Sequence, residues 1–172
     1  MNCDRLFLDT AFIQALLNPR DDYHTIAKVL FSKVRNAKEV WTTEAILTEV
    51  GNALSASTRN EAVRFINQCY QTDNIRVVTI NTVLFRQALS LYNSRPDKNW
   101  GLTDCISSIV MTMNGITDAV TADRHFIQAG FRALIDIKGN SDCSITPNKL
   151  LNYTIYLFTF LPFTTPFISF LL

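Results

Sequence analysis

Residues 102–123 read LTDCISSIVMTMNGITDAVTAD, a pattern typical of a helix, a turn and a strand. Thr103 is a good N-cap for a helix, and Asn114-Gly115 ends that helix. Its apolar residues recur at the spacing of one buried helix face: Ile106, Ile109, Val110 and Met113. Ala119 to Thr121 then form a short strand. Asp104 therefore lies in the first turn of a helix, and Asp123 lies just beyond the carboxyl end of a strand, where open α/β sheets build their sites.

Strands alternate with helices on both sides of this stretch. The continuous apolar run Leu6-Phe7-Leu8 stops at Asp9 and is typical of a buried parallel strand. The other strand candidates are Val40–Thr42, Ile75–Ile80, Ala119–Thr121 and Phe131–Ile137. Helical segments connect them. This order predicts an α/β fold of three layers, in which a central, mainly parallel sheet is covered by helices on both faces.

Composition limits the class of protein but not its partner. A chain of 172 residues with 48% hydrophobic residues can bury one core, and its net charge of +1 neither requires nor excludes a nucleic acid. The cysteines are scattered without zinc-site spacing: Cys3, Cys69, Cys105 and Cys143. They indicate reduced thiols in a cytoplasmic protein, and the first residues lack the apolar core of a signal peptide.

The C-terminal segment differs from the rest of the chain. We expect one domain over residues 1–140 and an atypical apolar extension over residues 141–172, which has no charged residue after Lys149. The run from Tyr153 to Leu172 has roughly the length that spans a bilayer, although Pro162 and Pro166 interrupt it. Two interpretations stay open: membrane attachment through residues 150–172, and a non-native extension that adheres to apolar surfaces.

Carboxylates stand on four different elements: Asp9, Glu49, Asp104 and Asp123. Singly, each is a weak signal, and Asp104 near a helix N-terminus is usually explained as a cap or a dipole partner. Glu49 lies on the shoulder of a buried helix face, where it either pairs with a lysine or points into a site shared with Asp9 and Asp104. Hard divalent cations prefer oxygen ligands, so the set as a whole predicts a site for Mg²⁺ or Mn²⁺.

The motifs around these acids are Leu8-Asp9-Thr10, Leu47 to Leu54 with Glu49, Leu102 to Cys105 with Asp104, and Thr121 to Phe126 with Asp123. In this order they resemble those of the PIN-domain ribonucleases, especially the small VapC-like toxins of prokaryotic toxin–antitoxin pairs. The resemblance covers roughly residues 4–137. Each motif is short, but their order on these elements is fairly specific. The extension has no counterpart in compact members of the family.

The resemblance implies metal-dependent hydrolysis of RNA phosphodiester bonds. Asp9, Asp104 and Asp123 would hold one or two ions, and Glu49 would ligate directly or through water. Two threonines, Thr10 and Thr121, would donate hydrogen bonds that hold the aspartates in orientation. Cations that would contact RNA are Arg95, Lys98 and Arg124. The resemblance also implies a small antitoxin partner and a homodimer, for which the apolar helix from Phe12 to Leu17 is a candidate surface.

Other functions of such a fold can be compared with the same residues. Haloacid-dehalogenase-like phosphatases require an aspartate where this chain has Ala11, and receiver domains require paired acids where Asp9 is followed by Thr10. Both are disfavoured. Two alternatives stay open: a PIN-fold nuclease that processes RNA outside a toxin–antitoxin system, and a non-catalytic module that binds protein or RNA. In the second, the carboxylates would only cap helices.

Overall fold

The computed structural model describes residues 4–135. Within this range the strands are β1 (Arg5–Leu8), β2 (Glu39–Thr43), β3 (Ile75–Val78), β4 (Asp118–Val120) and β5 (Arg132–Ala133). The helices are α1 (Thr10–Leu17), α2 (His24–Asn36), α3 (Glu44–Ala53), α4 (Arg59–Gln71), α5 (Thr82–Ser94), α6 (Leu102–Met113) and α7 (Arg124–Gln128).

The strands form one parallel sheet in the order β3-β2-β1-β4-β5. β1 lies in the middle, because the chain adds β2 and β3 on one side of it and then crosses over to add β4 and β5 on the other. A crevice forms at the carboxyl ends of the strands where the order reverses in this way. Helices flank the sheet, so the predicted three-layer α/β fold is confirmed.

The core forms between the sheet and these helices because the apolar residues of β1 and β4 face them, whereas each strand begins with a charged residue, Arg5 or Asp118. Leu6, Phe7 and Leu8 are almost completely buried, and the ring of Phe7 lies 6.1 Å from that of Phe126 in α7. Because Phe126 is buried there, α7 is held beside the carboxyl ends of the strands.

The predicted start and buried face of α6 are partly wrong. The N-cap is Gly101, two residues before Thr103, because the carboxylate of Asp104 accepts a hydrogen bond from the Gly101 N–H. Ser107 and Met111 are fully buried, whereas Met113 is 71% exposed. The buried face is therefore rotated towards Ser107, a small polar residue that the apolar pattern does not include.

The last two strands are shifted or shorter than predicted. β4 begins at Asp118, one residue earlier than expected, and β5 is limited to Arg132 and Ala133. Asp118 is buried and accepts two hydrogen bonds from the guanidinium of Arg132, at 2.5 and 2.7 Å. This pair stabilises the amino-terminal edge of the sheet, opposite to the edge where β1 and β4 end.

The suggested dimer surface on α1 is wrong. Phe12, Ile13, Leu16 and Leu17 are all buried within the single chain. The apolar face of α1 packs in the core, so it is not available for a second copy. Among the cysteines, Cys69 and Cys105 are free and buried, and Cys3 and Cys143 lie outside the described residues.

The predicted extension over residues 141–172 lies outside the described residues, as does the membrane attachment suggested for residues 150–172. In the range that the structure covers, none of the helices has the length and apolar character needed to cross a membrane. The boundary between the domain and the extension stays a prediction.

Removal of residues 141–172 tests that boundary. All five strands and the core described above lie before residue 136, so we expect the shortened chain to unfold cooperatively. Its free energy of unfolding should differ from that of the full chain by less than about 1 kcal/mol in urea. A shortened chain that melts without a cooperative transition would show that the extension belongs to the core.

Candidate active site

Asp9 and Thr121 lie side by side at the carboxyl edge of the sheet. Leu8 pairs with Val120 in the register of β1 and β4, so the next residue of each strand emerges at the same point. The Thr121 hydroxyl donates a hydrogen bond to Asp9 Oδ2 at 2.6 Å and accepts one from the Asp123 N–H at 2.9 Å. One buried hydroxyl therefore positions both aspartates, as predicted for Thr121.

Asp104 reaches this edge from α6. Its Oδ2 accepts the N–H of Gly101 at 2.7 Å, which fixes the carboxylate at the start of the helix. Burial raises the pKa of Asp104, and the charges of Asp123 and Glu49 raise it further, while the Gly101 hydrogen bond and His125 oppose the shift. The carboxylate is thus within electrostatic reach of two others.

His125 completes a compact group with Asp104 and Asp123. One ligand atom from each of the three residues lies within 4.8 Å of the others. The Nδ1 atom of His125 is 3.2 Å from Asp104 Oδ2 and 3.3 Å from Asp123 Oδ1. It is buried and is not aligned for a hydrogen bond to any group in the described part of the chain.

Asp9 lies next to this group and is almost completely buried, with 7% of its surface exposed. Burial raises the pKa of Asp9 from 3.8 to about 6, and the charges of Asp123 and Asp104 add to the increase. The hydrogen bond from Thr121 opposes it. A carboxylate in this position is costly to ionise unless a cation lies nearby.

Glu49 is exposed at the surface of α3, and not on the shoulder of a buried face. Its Oε2 accepts a hydrogen bond from the Thr10 hydroxyl at 2.8 Å. Thr10 therefore orients two acids: its hydroxyl holds Glu49, and its backbone N–H donates a hydrogen bond to the carboxylate of Asp9. The hydroxyl contact places Glu49 next to the residue that follows Asp9, and the charge of Glu49 raises the pKa of Asp104. All four predicted acids thus face one edge of the sheet.

The donor set fits a divalent cation. The pKa values of Asp9 and Asp104 are raised, chiefly by burial. The buried Nδ1 atom of His125 lies between Asp104 and Asp123 and lacks a hydrogen-bond partner among the described residues. Such a group is electrostatically unfavourable by itself, and a cation between the carboxylates would satisfy it.

Two of the three predicted RNA-contacting cations are paired. Arg95 donates two hydrogen bonds to Asp97, and Lys98 lies 3.6 Å from the same carboxylate. The guanidinium of Arg95 also stacks over Trp100, which is buried and packs as part of the core. Arg124, by contrast, is exposed immediately after Asp123.

Sequence reasoning missed His125, although this residue stands in the quoted motif. His125 could have been found from its position two residues after Asp123 in the sequence. An aspartate that caps a helix accepts a hydrogen bond from the backbone N–H of the second residue after it, here His125, at 2.8 Å. That turn brings the ring back beside the carboxylate. Contact with Asp104, however, required the packing of α7 near α6, which no local pattern reveals.

Comparison with known proteins agrees with this geometry. The family model described as PIN domain matches residues 6–132. VapC20 of Mycobacterium tuberculosis, described as a sarcin–ricin loop cleaving toxin, is similar in structure, with a TM-score of 0.67 and 27% identity. That similarity covers 74% of this chain and 96% of VapC20. No curated protein matches the chain.

A more distant structure supports the fold alone. FitAcB from Neisseria gonorrhoeae matches with a TM-score of 0.50 and 15% identity, over 74% of this chain and 95% of its own.

The family match covers most of the chain, and the carboxylates that the resemblance predicted lie together at the switch point of the sheet. The chain therefore belongs to the PIN domain family of nucleases.

Proposed function

We propose that this chain is a metal-dependent endoribonuclease that hydrolyses RNA phosphodiester bonds. The observation that carries the proposal is the convergence of Asp104, Asp123 and His125 within 4.8 Å at the carboxyl edge of a PIN-type sheet. Asp9 lies buried next to this group, where Thr121 holds it, and Glu49 is exposed beside Thr10. The cofactor would be Mg²⁺ or Mn²⁺, because the donors are mainly carboxylate oxygens.

Each residue has a role that follows from its contacts. Asp104 and Asp123 would ligate the ion directly, with Asp9 as the buried member of the set. Glu49, held by Thr10, is exposed and would orient the attacking water from the open side. When bound, the ion supplies Lewis-acid chemistry, since it neutralises charge on the phosphate and increases the acidity of the attacking water.

RNA as the substrate is supported by the similarity to VapC20, which is described as cleaving the sarcin–ricin loop. An acidic site must offset repulsion of the phosphate backbone. Arg124 is placed to do so, because it is exposed beside Asp123. Arg95 and Lys98 would have to exchange Asp97 for a phosphate, so we propose a smaller contribution from them.

The same similarity supports a role as the toxin of a toxin–antitoxin pair. In that role the chain would bind a small antitoxin protein, act in the cytoplasm and be able to form a homodimer. A short reading frame directly upstream of the gene, whose product restores growth when both are expressed, would distinguish a toxin from an RNA-processing nuclease.

Removal of the metal tests the activity. We expect the purified full chain to cleave single-stranded RNA with Mg²⁺ or Mn²⁺, and excess EDTA to abolish cleavage because the carboxylates then repel each other and the phosphate. Gel analysis of end-labelled RNA measures the products. Restoring the ion after EDTA should restore cleavage, which controls for loss of folded protein.

Undiminished cleavage in EDTA would contradict the proposal. RNA binding without cleavage under all conditions would favour the non-catalytic module.

A further inference from the structure

The imidazole of His125 faces two carboxylates in a way that a hydrogen bond does not explain. Its Nδ1 atom lies 3.2 Å from Asp104 Oδ2 and 3.3 Å from Asp123 Oδ1, yet it is aligned with neither. If Nδ1 carried a hydrogen, alignment with one of these strong acceptors would be expected. If it carries a lone pair, three electron-rich atoms face one another.

A cation among these atoms resolves the conflict. Neighbouring ligand atoms of an octahedral ion with bonds of about 2.1 Å are about 3 Å apart, which is close to the two observed separations. Backbone hydrogen bonds hold the two carboxylates in place. The backbone N–H of His125 donates to Asp123 Oδ1 at 2.8 Å, and the backbone N–H of Gly101 donates to Asp104 Oδ2 at 2.7 Å. The three donors are therefore arranged before an ion binds.

We propose that Nδ1 of His125 is a ligand of the divalent ion and that this nitrogen makes the site prefer Mn²⁺ over Mg²⁺. The proposal rests on the proposed function, because it assumes that the carboxylates bind an ion. Carboxylates alone suit both ions, whereas imidazole is a ligand of transition metals and Mg²⁺ is bound almost entirely through oxygen. A single nitrogen ligand would therefore make the affinity of the site for Mn²⁺ higher than its affinity for Mg²⁺.

The chain provides a matched control. It contains two histidines, and His24 is engaged elsewhere, since its Nδ1 is 2.8 Å from the carbonyl oxygen of Ala15. His125→Gln and His24→Gln therefore remove the same group from two places, one at the acidic edge and one at the start of α2.

Manganese binding is measured without reference to activity. Continuous-wave EPR of free Mn²⁺ gives the dissociation constant, and pulsed EPR of bound Mn²⁺ detects a directly bound nitrogen. We expect nitrogen coupling in the wild type and in His24→Gln and none in His125→Gln. Mn²⁺ should bind at least about 10-fold more weakly to His125→Gln than to the wild type, while Mg²⁺ affinity, measured by competition, changes little.

Isotope labelling makes the test independent of whether the variant folds. Wild-type protein made with ¹⁵N-labelled histidine should show the altered coupling of that isotope if a histidine binds the ion. Bound Mn²⁺ without histidine coupling overturns this proposal and leaves the metal site intact. An absence of bound Mn²⁺ overturns the metal site itself, and the proposed function with it, so the two failures are distinguishable.

Discussion

Asp104→Asn is expected to reduce RNA cleavage by at least about 100-fold, because removal of even a group that only supports a metal ligand costs up to about that much. The variant should still fold. Its amide oxygen can accept the Gly101 N–H that Asp104 Oδ2 accepts at 2.7 Å, so the start of α6 is preserved. The substitution also removes the negative charge of Asp104, which the charges of Asp123 and Glu49 repel. We therefore expect the metal-free variant to be as stable as the wild type or more stable.

The metal response separates this outcome from a simple loss of structure. Adding Mn²⁺ or Mg²⁺ should raise the melting temperature of the wild type by binding linkage, and that of Asp104→Asn by much less. Cleavage of labelled RNA is measured on the same samples. If Asp104 only capped its helix, the variant would keep both the metal response and the cleavage activity of the wild type, because asparagine caps a helix about as well as aspartate. That result would show that the metal-site interpretation is wrong.

Asp118→Asn is a matched control for this experiment. It too removes one negative charge, but Asp118 is buried in β4 and pairs with Arg132 at the opposite edge of the sheet. The variant should be destabilised by about 1 to 3 kcal/mol because the guanidinium of Arg132 loses its ion pair with the buried Asp118 carboxylate. Its remaining folded protein should keep both the metal response and the cleavage activity.

Asp9→Asn is expected to stabilise the metal-free protein, and increasingly so as the pH rises. The Asp9 pKa is about 6 in the folded protein and 3.8 when unperturbed, so the folded state retains a proton that the unfolded state has already lost. Wild-type stability therefore falls as the pH rises from about 4 to about 7, by as much as about 3 kcal/mol for this shift. The asparagine cannot ionise and does not carry this cost.

Urea unfolding in EDTA at several pH values between 4 and 8 measures the effect. The stability difference between Asp9→Asn and the wild type should be near zero at pH 4 and reach its maximum above pH 7. Asp97→Asn is the control: the Arg95 guanidinium lowers the pKa of the exposed Asp97 to about 2, so both states are ionised above about pH 5 and the difference stays flat. Parallel curves for Asp9→Asn and the wild type would show that burial does not perturb Asp9.

Local spacing was sufficient to predict the elements that carry the acids. The apolar run from Leu6 to Leu8 and the alternation of strands with helices require a parallel sheet, and parallel strands place their carboxyl ends at one edge. Asp9 and Asp123 follow strands, so their meeting at that edge was expected from the sequence. The order of motifs also indicated the PIN family, which the comparison confirmed.

Other features depended on packing between distant elements. The exposure of Met113 and the burial of Ser107 result from the rotation of α6 against the sheet. The placement of His125 beside Asp104 brings together α7 and α6 across the carboxyl edge of the sheet. Periodicity along one element determines which residues share a face, whereas the rotation and approach of two elements depend on the packing of every side chain between them.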